Sequence, residues 1–280
     1  MKKITYFIAV LLLLTAVTGC SFSMEDTKEW IDDTKKVNSP EKTVNADPIT
    51  AIEVDSQEIS TKIKVTKGNQ IKVQLIHVEK DTDLQVTETG NLLKIKAGKA
   101  PVVFGLNMNQ PLLVVSVPEK KYDSFQFKTG SANITGDKLS AKQLTFNTVH
   151  GNIDLKGFEG KKIIGKTSDG NVNLKNVDSL FDIQTDLGNI KVSVVNGFKG
   201  VNKMKSQQGN IKVKVDRIPE SLQVDLSTQS AEGIQTNFDT PPMEKHNQSR
   251  VLKGFIGKEN AEAPQLVIKN SLGGIRLMKM

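Results

Sequence analysis

The sequence predicts an all-β fold, a single-stranded β-solenoid (β-helix-like) of roughly 20-residue coils, and three observations carry that reading. The first is a recurring phrase, Thr/Ser-x-x-Gly-Asn-Ile/Val. It is written by Thr148, Gly151, Asn152 and Ile153, then by Thr167, Gly170, Asn171 and Val172. It returns as Thr185, Gly188, Asn189 and Ile190, and as Ser206, Gly209, Asn210 and Ile211. A weaker copy runs from Thr129 to Ile134, and degraded copies end at Ile234 and Ile275. The second is spacing: Ile134, Ile153, Val172, Ile190, Ile211 and Ile234 follow one another at 19, 19, 18, 21 and 23 residues, and Ile275 comes 41 later. The third is agreement beyond the motif. Seven places before the aliphatic stand Phe127, Phe146, Gly165, Ile183 and Met204; two places after it stand Gly136, Leu155, Leu174, Val192 and Val213. Polar residues alternate with these, so each unit reads as half-buried strands of period two.

Gly-Asn at the join has a chemical reason. Glycine supplies backbone angles that other residues avoid, and asparagine tolerates the left-handed region and bonds nearby backbone. Stacked coils would place the asparagines in an amide ladder and the threonines in a hydroxyl ladder. A row of antiparallel hairpins with Gly-Asn turns is the alternative. Repetition of one residue type at one offset favours stacking, because a hairpin row does not require it.

Taken from the start, residues 1–20 read as a lipoprotein signal peptide. Lys2 and Lys3 precede the apolar run Ile4 to Leu14, and the segment closes on Val17-Thr18-Gly19-Cys20, similar to a bacterial lipobox. The 16 uncharged residues between Lys3 and Cys20 are short for a spanning helix and suited to a cleaved signal. Cys20 is the single cysteine, so no intrachain disulfide is possible and lipidation at Cys20 is the expected modification, anchoring the chain to the membrane.

Residues 21–47 read as a flexible acidic tether, with seven acids against four lysines and too little apolar surface to offset ordering. Trp30 is a candidate interfacial anchor within it. The chain carries +7 in all. Without Lys2 and Lys3 it carries +5, and the −3 of residues 21–47 leaves +8 on the body from Pro48 onward. Such a body attracts polyanions. Nucleic acid is not an expected partner of an exported chain with two Tyr, one Trp and no Arg-rich stripe.

Residues 48–280 form the repeat domain. Within it, 48–120 supply initial rungs and a cap, with a separate small β-sandwich as the alternative, and 121–237 the regular repeats. Residues 238–264, with Pro241-Pro242 and a polar run, read as an insertion loop with a short strand over Val251 to Ile256, and as a candidate contact surface; 265–280 read as the last rung.

Chemistry is sparse. His77, His150 and His246 lie far apart in order, with no metal-ligand spacing. There is no Gly-x-Ser-x-Gly elbow, Walker loop or dinucleotide fingerprint. No cofactor and no metal is expected. The enzyme alternative is a carbohydrate-active β-helix with Asp154, aided by Asp137, on its outer face. Asp169 and Asp186 are candidate calcium ligands, but their offsets from the motif differ by one place.

With these copies assembled, Thr129 to Ile211 and the lead-in Val115-Ser116-Val117-Pro118-Glu119-Lys120 make the chain resemble the bacterial putative-adhesin family, the adhesin-like β-repeat domain of LiaG- and YvlB-type envelope proteins. The likeness spans Ile49 to Leu277. It implies an adhesin-like fold and no catalytic motif. The combined expectation is a non-enzymatic lipoprotein at the outer face of the cytoplasmic membrane. It would present a basic surface to anionic wall polymers or another envelope protein, with a ligand-free spacer as a further alternative.

Overall fold

Period-two alternation sends successive side chains to opposite faces of a strand, and it runs through most of the computed structural model, which describes residues 36–98, 110–217 and 219–280. Cys20, Trp30 and the first part of the tether lie outside the described residues. Among these residues there are strands, turns and irregular connections and no helix. The first strands are β1 (Lys42–Asn45), β2 (Ala51–Gln57), β3 (Ser60–Thr66), β4 (Gln70–Ile76), β5 (Leu84–Thr89), β6 (Leu92–Ala97) and β7 (Leu112–Pro118). The middle of the chain gives β8 (Tyr122–Thr129), β9 (Ile134–Asp137), β10 (Ser140–His150), β11 (Ile153–Lys156), β12 (Glu159–Asp169), β13 (Val172–Leu187), β14 (Ile190–Val194), β15 (Val201–Gln208) and β16 (Ile211–Val215). The last are β17 (Ser221–Thr228), β18 (Ile234–Thr236), β19 (Glu244–His246), β20 (Ser249–Gly257), β21 (Gln265–Leu272) and β22 (Ile275–Lys279).

They pair into two ladders. The first runs β1-β4-β7-β3-β9-β11-β13-β14-β16-β22-β18. The second runs β5-β6-β2-β8-β10-β12-β13-β15-β21-β17-β20-β19. Strand β13 belongs to both, its start in the first and its end in the second. Central pairings are parallel, and antiparallel ones are confined to the two ends of the ladders.

Register explains the core. Ile134, Ile153, Val172, Ile190, Ile211, Ile275 and Ile234 lie opposite one another in succession. All are fully buried except Ile234, which is 6% exposed. Phe127, Phe146, Gly165, Ile183, Met204 and Ile268 form a second file. In a parallel ladder inward side chains pack against those of the neighbouring strands, so each file is a continuous apolar column whose members are mutually dependent.

At the ends three sequence expectations change and one alternative, the separate sandwich, falls away. Residues 265–280 are last in the chain but not in the stack: β22 lies between β16 and β18, and β21 lies between β15 and β17. Spacing counts residues along the chain and cannot tell which free edge a returning strand fills. At the other end, β2 and β3 pair directly on β8 and β9, with β6 and β7 outside them. The amino-terminal half therefore continues the same ladders and is no separate sandwich. Third, the tether ends early, because Lys42–Asn45 pairs with β4 and Val37 bridges Val78. Val44 and Ala46 are buried, an apolar alternation that the surrounding acids mask. Fourth, residues 238–264 hold more than a loop with one short strand: β20 covers the strand expected over Val251 to Ile256, forms a hairpin with β19 and lies antiparallel along the whole of β17. It covers an edge that would otherwise offer unpaired groups.

Candidate functional site

The repeated corner is built by close approach. A Cβ on Gly151, Gly170, Gly188, Gly209 or Gly273 would fall 2.1 Å from the carbonyl oxygen of the residue one rung below, Ala132, Gly151, Gly170, Gly188 or Gly209 respectively. Gly188, Gly209 and Gly273 also have positive φ, but Gly151 and Gly170 do not. Space between neighbouring corners is therefore the common requirement, more than the backbone angles expected from sequence.

The asparagines fill the outer side of this corner. Asn133 Oδ1 accepts from the backbone N–H and Nδ2 of Asn152 (2.8 and 3.3 Å). Asn152 serves Asn171 in the same way, and Asn171 serves Asn189. Asn189 Oδ1 then accepts from the Asn210 backbone, and Asn210 Oδ1 from Gly274 N–H at 2.7 Å. The hydroxyls differ from a hydroxyl ladder. Thr148, Thr185 and Ser206 donate to the carbonyls of Gly130, Gly170 and Gly188, because buried strand spacing brings those carbonyls, not the next hydroxyl, within reach. Thr167 Oγ1 is buried with no partner. These residues link neighbouring corners of the ladders; the surface lies elsewhere.

The outer face of the first ladder carries the charge. Its outward positions on β3, β9, β11, β13, β14, β16 and β22 hold Lys62, Lys64, Lys156, Lys175, Lys191, Lys212, Lys214 and Arg276 against Asp137 and Asp154. Lys191, Lys212 and Arg276 are consecutive in register, about 4.8 Å apart per step. Among the described residues, no carboxylate lies within ion-pair distance of these three. Such stacking of like charge is unfavourable and leaves a strip of positive potential.

This strip leads into a groove. Strand β3 pairs with β9 only as far as Ile63 and Gly136, then continues beside β7 alone. The parting opens a groove of about 520 Å³ lined by Lys62, Lys64, Val65, Gly136, Asp137, Lys138, Asp154 and Lys156, among others. A neighbouring recess of about 390 Å³ shares Val65 and Lys138 and adds Lys120, Lys121 and Tyr122. Burial raises the Tyr122 phenol far above its ordinary value, so it is a neutral wall, with Lys120 Nζ 5.1 Å from its ring centre.

Other residues singled out from sequence are placed as follows. Asp137 and Asp154 do share the groove. Asp154, however, accepts from Asn173 at 3.2 Å and lies 3.6 Å from Lys175, and both acids are exposed, without the apolar surroundings of a general acid. Asp169 lies opposite Leu187, one column from Asp186, which instead accepts from Gln207. His150 faces Asp169 at 3.6 Å, His246 faces Glu244 at 3.1 Å, and His77 N–H donates to Asn38. Sequence reasoning missed Lys138 and the groove. The available signal was that Lys138 aligns with Gly157 and Asn176 at successive corners.

Fold and face together define an all-β repeat module with a cationic outer surface. The Toastrack DUF4097 family model matches residues 49–228 and again 121–277, and the chain belongs to that family. In solved structures it is similar to a "putative adhesin" from Bacteroides fragilis, 11% identical over 87% of this chain and 98% of that chain, TM-score 0.47. It is also similar to a "putative cell adhesion protein" from Clostridium sporogenes, 12% identical over 88% and 100%, TM-score 0.38. A third is a "putative adhesin" from Parabacteroides distasonis, 12% identical over 88% and 98%, TM-score 0.37. No curated protein matches the chain.

Proposed function

We propose that this chain is a non-enzymatic envelope module, held to the outer face of the membrane through lipid on Cys20, that binds anionic wall polymer on the outer face of its first ladder. In this reading the two ladders are walls of one β-solenoid, wound once in roughly 20 residues. The segment beyond Cys20 spaces that body from the bilayer. The observation that supports it most is the Lys191–Lys212–Arg276 column, three stacked cations without a carboxylate partner. A structural surface gains nothing from such repulsion, whereas a polyanion lying along it relieves the repulsion and releases counterions.

The test is binding of the full lipidated chain, in neutral vesicles, to a glycerol-phosphate oligomer across a salt series. Affinity should fall steeply with salt, and the Lys191→Gln/Lys212→Gln/Arg276→Gln variant should lose roughly tenfold or more. Binding indifferent to both salt and these substitutions would refute the reading. The carbohydrate-active alternative draws on the shared position of Asp137 and Asp154. Turnover of a wall glycan that disappears in Asp154→Ala would select it instead.

A further inference from the structure

Successive coils turn the same corner at the end of the first ladder. Asp137 lies opposite Lys156, and Lys156 opposite Lys175, so the residues that follow, Lys138, Gly157 and Asn176, occupy equivalent places. All three are left-handed, with φ of 57°, 71° and 53°. Glycine and asparagine suit that conformation; a long side chain with a Cβ is disfavoured there. Lysine is thus held where the fold itself would select Gly or Asn. Strain of this kind is retained where a side chain is needed in one place. Lys138 is also the lysine that lines both the groove and the neighbouring recess.

We infer that Lys138 is the specificity-determining residue of a phosphodiester subsite, the place where a linear polyol-phosphate polymer is gripped before it follows the cationic strip. This rests on the polyanion reading above and names its ligand chemistry. Lys62 and Lys64 reach the groove from β3, and Lys138 and Lys156 from the corner and β11. Among the described residues, none of these four has a carboxylate within ion-pair distance, while Asp154 is engaged by Asn173 and Lys175. Compact ammonium groups on two walls act as point charges and suit a tetrahedral phosphate, which accepts from several directions, whereas a carboxylate accepts close to its own plane. A polymer, and not a bilayer, fits the setting. From Lys62 the register continues through Thr135, Asp154, Asn173, Lys191 and Lys212 to Arg276, a path of about 29 Å. The exposed apolar residues Val149, Leu187 and Leu272 lie on the motif corner instead.

The experiment compares Lys138→Asn and Lys138→Arg with the parent in the full lipidated chain on phosphatidylcholine vesicles. The probes are a glycerol-phosphate oligomer and poly-glutamate of equal charge, with urea unfolding measured in parallel. Lys138→Asn should unfold at the same or higher urea, lose about tenfold in oligomer affinity and change poly-glutamate binding less than about twofold. Lys138→Arg should retain most oligomer binding. Unchanged oligomer binding in Lys138→Asn, or earlier unfolding, would overturn the inference. Equal loss for both polyanions would also overturn it while leaving the general polyanion face standing, and absence of binding to either by the parent would remove both. Displacement of the oligomer by soluble short-chain phosphatidylglycerol at far lower concentration than by glycerol phosphate would assign the subsite to a lipid headgroup, against the polymer.

Discussion

The ring of Phe146 occupies the space that a side chain on Gly165, its register partner on the neighbouring strand, would need: a Cβ there would meet Phe146 Cζ at 2.0 Å. In the file Phe127, Phe146, Gly165, Ile183 the single missing side chain leaves room for the Phe146 ring. Gly165→Ala should destabilise the protein by about 1–3 kcal/mol through overpacking. The Gly165→Ala/Phe146→Leu double variant should recover part of that loss, and urea unfolding of the four-member cycle reads the coupling. Additive losses would mean the two residues do not share the space.

Gly170 meets a different obstacle. Its missing Cβ would lie 2.1 Å from the Gly151 carbonyl oxygen, and backbone in a parallel ladder cannot rotate aside as a ring can. Gly170→Ala should cost more than Gly165→Ala in the same urea assay, and no single side-chain truncation nearby should rescue it. An equal or smaller cost would show that neighbouring strands can separate locally.

Thr167 and Thr185 are register partners and both fully buried, but their hydroxyls differ. Thr185 Oγ1 donates to Gly170 O at 3.3 Å or Leu187 O at 3.2 Å, while Thr167 Oγ1 has no partner. Thr185→Val should destabilise by about 1 kcal/mol, and Thr167→Val should stabilise by a similar amount, since an unmet buried hydroxyl carries its desolvation cost uncompensated. Thermal unfolding of the two variants should move in opposite directions.

These columns were legible in the sequence because Thr167, Thr185, Gly165 and Phe146 sit at constant offsets from the motif, and stacking converts offset directly into contact. The order at the ends was not. Ile275 fits beside Ile211 as well as Ile234 does, since every rung offers the same apolar edge. A faint cue existed: the Ile234 copy lacks the asparagine, and Asn210 Oδ1 takes its donor from Gly274. The groove was hidden for another reason. It depends on β3 parting from β9 after Gly136, a pairing across some 70 residues that no local pattern records.

Asp178 links the corner at Asn196 and Lys199 to pH. Its side chain is 19% exposed, and burial alone would raise its carboxyl. Hydrogen bonds from Lys199 and from Asn196 (3.0 Å), with the Lys199 charge, outweigh that and hold it below the ordinary carboxylate value. A depressed folded-state value adds stability that is present above the unfolded value, near 4, and lost as pH falls through the folded one. The stability gap between parent and Asp178→Asn should therefore be constant from pH 7 to about 5 and close below about 4. A gap that widens on acidification would reverse the assignment.

The carboxyl terminus is the fold's late insertion. Strands β21 and β22 separate β15 and β16 from β17 and β18, so the hairpin-covered segment 221–257 reaches the body of the ladders through residues that follow it in the chain. Ile268, Leu277 and Ile275 bury completely at this junction. Ending the chain before Gln265 should therefore do more than remove one rung. It leaves Val224 and Leu226 without their parallel partners Leu266 and Ile268 and uncovers the apolar edge of Met204 and Ile211. Limited proteolysis of the truncated chain should cut within 221–257 while the segment 122–194 stays protected, because the latter's strands pair only with strands that precede residue 217. Protection of 221–257 equal to that in the full chain would show that this segment can close directly onto β15 and β16.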